Sequence, residues 1–173
     1  MVLLRRGFAG ASIAWAVALP LASLAASRPA APSLVYLLTL TVYAIGSVIC
    51  HQRPERSFYL WSHQLPVCAR CTGIYVGAAL AVLVNAVRGG RLVPPQGGDA
   101  STLVMSAVDG RALAAGTRAR RDTRTILVMA ALPAMATLVY EWTTGVTPSN
   151  WIRAASGLCL GVGVAVLIQR EVN

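Results

Sequence analysis

Apolar residues fall in five long runs separated by polar stretches. The runs extend from about Phe8 to Ala26, Leu34 to Cys50, Val67 to Val87, Ile126 to Trp142 and Ile152 to Ile168. Each is close to the roughly 20 residues that a helix needs to cross a bilayer. Within lipid every backbone N–H and C=O must find its partner inside the segment, which leaves helices and closed barrels. A barrel strand would alternate apolar and polar positions, whereas these runs are apolar at consecutive positions. The pattern therefore predicts an all-α, polytopic helical membrane bundle with four or five transmembrane helices.

Two stretches qualify that count. The first run follows Arg5 and Arg6, contains Pro20 and ends in LASLAAS, features shared with a signal peptide and its small-residue cleavage site. Its apolar core of about nineteen residues exceeds the 7 to 15 usual for a signal, so a retained helix is expected. Residues 1–33 then form an N-terminal transmembrane helix, and residues 34–173 the membrane domain. The second stretch, residues 88–125, holds Pro94, Pro95, several glycines and seven arginines. It reads as a solvated loop with a short amphipathic helix through LVMSAVDGRALAAG (103–116).

Composition supports a membrane location. Hydrophobic residues make up 56% of the 173-residue chain and charged residues only 12%, and mean hydropathy is +0.62; soluble domains run at roughly 45–50% apolar and about 25% charged. The net charge is +9, and all fifteen basic residues are arginines. They flank or connect the apolar runs and no nucleic-acid module is visible, so lipid headgroups are the expected partner and nucleic acid is not. With alternating spans, nine arginines share the side of the 88–125 loop and four to six the other side. This places the long loop in the cytoplasm and the connection after the second run outside. Independently of orientation, the connections after the second and fourth runs are two spans apart and share a side. Glu141, Asn150 and Arg153 are thus expected at the same membrane face as residues 50–71.

That face carries the chemistry. Cys50, His51, Cys68 and Cys71 lie at the ends of two adjoining apolar runs, and both histidines and three of the four cysteines fall within residues 50–71. Cys68 and Cys71, three apart at the start of a helix, share a face. Pro66 suits the first turn, and the dipole end together with Arg70 favours a thiolate. Cys50, His51, Cys68 and Cys71 make a Cys₃His set, the composition of a closed zinc site. Zinc or another transition metal is the cofactor this implies, with His63 as a spare ligand or supporting partner. The same residues permit thiol–disulfide exchange by the Cys68/Cys71 pair with Cys50 as relay, or a non-catalytic scaffold. Thr72 follows the Cys-X-X-Cys where a c-type haem site has His. Arg56 with Ser57 is a candidate anion contact, and Glu141 with Arg153 a candidate ion pair, since span-end charges are costly unless paired. Cys159, inside the last run, is expected to be a packing residue. Gly73-X-X-X-Gly77 and Gly157-X-X-X-Gly161 allow close helix contact and suggest that the third and fifth runs are central.

The strings CHQRPERSF (50–58) and PVCARCTGIYVG (66–77), and more loosely SNWIRAASGLCLG (149–161), resemble the prokaryotic predicted membrane proteins grouped as domain of unknown function 2085. The resemblance covers the second to fifth runs. The arginine-rich loop is longer than the family pattern, and Glu141 stands where an Asp followed by Gly is expected. The resemblance implies a multi-pass helical membrane protein with a shared Cys/His motif and brings no activity with it.

Overall fold

The computed structural model describes residues 2–28, 32–87 and 111–171. The apolar runs form helices α1 (Val2–Ala26), α2 (Ser33–Ile49), α3 (Ala69–Val87), α4 (Arg111–Thr144) and α5 (Asn150–Glu171). Four segments, Arg6–Ala26, Ala69–Val87, Thr123–Thr144 and Asn150–Arg170, are long and apolar enough to cross a membrane. Helix α2 is equally apolar but has 17 residues, about 25 Å at 1.5 Å per residue against a hydrocarbon core of about 30 Å. Large apolar side chains such as Leu34, Leu37, Val128, Met135 and Val164 remain on the outside of the bundle, where a bilayer solvates them.

Helices α3 and α5 share the most extensive contact, and small residues are the reason. A side chain on Gly73 would collide with the Ala154 carbonyl, and one on Gly77 with that of Leu158. Reciprocally, side chains on Gly157 and Gly161 would strike the carbonyls of Arg70 and Ile74. The two expected glycine pairs thus interlock, backbone against backbone. Lipid tails are as apolar as leucine, so helices associate through such close packing and through polar contacts. At the far end of this seam, Asn85 donates to Gln169, both buried. Helix α4 packs on α5, and α1 packs on α2 and α3. Leu19 of α1, 1% exposed, reaches the cluster formed by Cys50, Leu65 and Val67.

The connection between α2 and α3 is more ordered than a polar loop. It contains one 3-10 turn, Pro54–Arg56, and an antiparallel pair, β1 (Tyr59–Leu60) with β2 (His63–Gln64). Its two-residue turn, Trp61–Ser62, has φ of 51° and 64°, the left-handed geometry whose twist matches paired strands. Three further expectations are corrected. Helix α4 begins at Arg111, well before the expected end of the loop at 125, because Ala, Leu and Arg are strong helix formers and no proline intervenes before Pro133. Residues 88–110, with most of the expected amphipathic segment, lie outside the described residues. Pro66 lies two residues before the cap residue Cys68 and outside the first turn of α3, so it shapes the approach to the helix. Cys159 is exposed on the outside of α5, since Gly157 and Gly161 take the packed face.

The seam predicts a sharp contrast between glycines. Gly73→Val should destabilise the detergent-solubilised protein by about 1–3 kcal/mol, as overpacking does. Gly7→Val, at a site with no atom within 4 Å, should leave stability unchanged. Equal melting temperatures for the two variants would contradict the interlocked seam.

Candidate metal centre at the helix ends

The C-terminus of α2 and the N-terminus of α3 meet because Gly46 has no side chain. A Cβ there would collide with the Pro66 carbonyl, so α2 approaches the entry to α3 at backbone distance. Gln52 secures the approach from a left-handed conformation, φ 46°, uncommon for a residue with a side chain. Its Nε2 donates to the carbonyls of Pro66 at 2.6 Å and Tyr43 at 3.1 Å. Gln64 Nε2 donates in turn to the Gln52 carbonyl at 2.6 Å and to Ser57 Oγ at 3.1 Å. Tyr43 donates from its hydroxyl to the Gln64 carbonyl at 2.6 Å. The connection is therefore bound to α2 by side chains at both ends.

This framework brings three thiols together. The Sγ atoms of Cys50, Cys68 and Cys71 all lie within 4.8 Å of one another, and none is in a disulfide. Cys50 is buried, and the other two are half-buried. The Cys68 carbonyl accepts the Thr72 N–H at 2.9 Å, which makes Cys68 the cap of α3. Its own N–H donates to Cys50 Sγ at 3.2 Å. The Cys71 thiol donates to Cys68 Sγ; the Cys71 and Arg70 N–H groups and the Cys50 thiol add to it, and together they outweigh burial. The Cys68 thiol is lowered from its ordinary value to about 5. A sulfur accepting N–H groups at a helix N-terminus is a thiolate site.

His51 is exposed and lines the same cavity of about 420 Å³ as the three cysteines, but its ring stands outside the group of converging sulfurs. His63 lies on β2, exposed, and is not part of that cavity's wall. The expected Cys₃His set is thus a Cys₃ set with a histidine beside it.

Behind the thiols is an ion cluster. Glu141 Oε1 receives Arg153 Nη2 at 2.7 Å and Arg56 Nη2 at 2.6 Å. Arg70 Nη2 lies 4.0 Å from Oε2 and donates to Thr137 Oγ1 at 3.2 Å. Glu141 is 8% exposed and Arg153 3%. Asn150 Nδ2 donates to the Ser57 carbonyl at 2.9 Å, and Ser57 Oγ donates to the Arg53 carbonyl at 2.9 Å. Residues placed on one membrane face by parity alone are in direct contact. Gly46, Gln52, Gln64 and Tyr43 were not singled out in the sequence: a lone glycine in an apolar run and two loop glutamines carry no spacing signal.

The thiol geometry predicts a pH dependence. In the metal-free protein, alkylation of Cys68 by iodoacetamide should follow its thiolate, present above about pH 5 and lost as pH falls through that value. Cys71→Ala removes the largest contribution and should shift the profile toward the ordinary thiol range near 8.5. A Cys68 profile centred near 8.5 in the unaltered protein, read by peptide mass spectrometry, would contradict the arrangement.

Residues 50–167 match the family described as predicted membrane protein DUF2085. Over 47 residues the chain is 45% identical to an uncharacterized protein of Methanocaldococcus jannaschii, covering 27% of this chain and 30% of the relative. Over 30 residues it is 63% identical to an uncharacterized protein of Methanothermobacter thermautotrophicus, covering 17% of this chain and 27% of that relative. The matches thus span less than a third of either relative's length. No solved structure matches the chain. Since the family match takes in both cysteine strings and three of the four long apolar segments, the chain belongs to the DUF2085 family of predicted membrane proteins.

Proposed function

We propose that this membrane protein binds a soft transition metal ion, zinc foremost, through Cys50, Cys68 and Cys71. The observation that carries the reading is the convergence of three sulfurs within 4.8 Å at the wall of an open cavity. Zinc–sulfur bonds of about 2.3 Å place tetrahedral ligands about 3.8 Å apart, so an ångström of closure suffices. Thiolates favour Zn²⁺ and Cu⁺ over hard cations. His51 follows Cys50 directly in the chain and shares the cavity, so it supplies the fourth ligand by rotating inward, or leaves that position to an incoming molecule. Three protein ligands with an open fourth position are the pattern of a reactive or exchanging site, where four are structural.

A second reading rests on the lowered Cys68 thiol beside a thiol partner. Cys68 would attack a substrate disulfide and release one substrate thiolate. Cys71 would then displace the second and leave a Cys68–Cys71 disulfide, two electrons having passed to the substrate. Elemental analysis with thiol counting separates the two. Under the metal reading the purified chain carries one zinc, lost in Cys50→Ser, Cys68→Ser and Cys71→Ser and kept in Cys159→Ser. Metal-free protein whose Cys68 and Cys71 cycle between dithiol and disulfide would replace it with the second.

The arginine distribution supports a cluster on the outer side of the membrane, with the 88–125 segment in the cytoplasm. In cysteine-free protein on intact cells, an impermeant maleimide should label single cysteines at Ser62 and Ser149, and not at Ala100. Labelling at Ala100 alone would reverse the orientation.

A further inference from the structure

We propose that the cavity beside the thiols is a binding site for an oxyanion of the phosphate class, held by Arg56, Arg70 and Arg153. The inference rests on the arginines and stands whether or not the sulfurs hold a metal.

Three guanidiniums meet one carboxylate, so the cluster keeps a net positive charge that the Cys68 thiolate offsets only in part. All three arginines line the cavity, joined by Arg53 and His51, while Glu141 lies behind the wall. No Asp or Glu is part of that wall among the described residues. Burial makes the imbalance costly. Arg153 is 3% exposed, and the side chains of Arg70 and Arg56 are 22% and 35% exposed. The Nε of each lacks a hydrogen-bond partner, and each guanidinium carries five donors in a fixed fork, more than Glu141 and Thr137 can accept. A buried charge without a partner is strongly unfavourable.

Helix polarity adds to the imbalance. Arg70 lies in the first turn of α3 and Arg153 in the first turn and a half of α5, and neither helix has an acidic residue in its first turn. A positive side chain at a helix N-terminus opposes the macrodipole. Two such placements at one cavity are unfavourable for the empty fold and favourable once an anion arrives. Planar guanidinium forks suit bidentate contact with phosphate oxygens. The cavity lies where α2 and α4 end and α3 and α5 begin, so either a lipid phosphate or a soluble phosphate reaches it.

The test uses full-length protein in detergent and in nanodiscs. Inorganic phosphate, titrated against chloride at matched ionic strength, should bind saturably by calorimetry. Arg70→Gln, which leaves both close Glu141 contacts in place, should weaken binding at least tenfold. Arg53→Gln, at the exposed rim, should weaken it less than threefold, and Cys68→Ser should retain it. If a lipid is the occupant, native mass spectrometry should find phosphatidylglycerol retained from mixed nanodiscs, displaced by phosphate and depleted in Arg70→Gln. Saturable phosphate binding without lipid retention assigns a soluble ligand. Absence of both, or equal binding by a folded Arg70→Gln, overturns the site and leaves the metal reading untouched. Loss of zinc with phosphate binding kept does the converse.

Discussion

The Glu141 carboxylate is the point on which the functional end of the molecule depends. It lies on α4, yet it binds Arg56 of the α2–α3 connection and Arg153 of α5, with Arg70 of α3 at 4.0 Å. Four chain segments are tied at this face through two oxygens. At a membrane edge such a contact is strong because water is scarce, and its rupture is costly because each partner would be left buried and charged. It also sets the chemistry next to it. Arg70 is held back against α4, and its neighbours in sequence, Cys68, Cys71 and the α3 terminus, are placed accordingly. The ion cluster and the thiol group are therefore one construction viewed from two sides.

Glycine supplies the complementary constraint. Gly73, Gly77, Gly157 and Gly161 bring α3 and α5 to backbone contact, and Gly46 does the same for α2 and Pro66. The first four place the N-terminal turns of α3 and α5, hence Arg70 and Arg153, side by side. The fifth places Cys50 against the Cys68 N–H. In both cases a methyl group would displace the functional atoms, so backbone proximity, more than side-chain bulk, sets the site geometry.

What was legible in the sequence followed from periodicity and connectivity. The spans showed as continuous apolar runs, and parity alone placed Glu141, Asn150 and Arg153 on the same membrane face as the cysteine segment. The Cys50, Cys68 and Cys71 grouping and the α3–α5 seam were readable because spacing along a helix fixes direction. What escaped depends on contacts between distant residues. The roles of Gln52 and Gln64 arise from carbonyls 9 to 14 positions away. His51 stands apart from the sulfur group although it follows Cys50 directly, at a point where the backbone is extended, a separation that spacing alone does not reveal. The outward face of Cys159 is set by which neighbours in α5 are glycines, a choice that composition alone does not reveal. The early start of α4 reflects local helix propensity where charge density had suggested a solvated loop.

Sulfur donors and guanidinium cations line the same cavity, and one feature of the fold bears on both. The N-terminus of a helix presents free N–H groups and a partial positive charge. At α3 that charge is taken up by Cys68, whose sulfur accepts N–H groups and is held as a thiolate. At α5 no acidic group occupies the corresponding place, and Arg153 increases the positive potential. Because Glu141 sits behind the arginines and outside the cavity wall, it fixes their position without quenching the face they present. The three cysteines and the three arginines line one cavity of about 420 Å³. That volume falls in the lower part of the range of about 300–1,000 Å³ typical of small-molecule sites. The cavity is thus large enough for one small ligand to meet both the thiol and the guanidinium groups that line it.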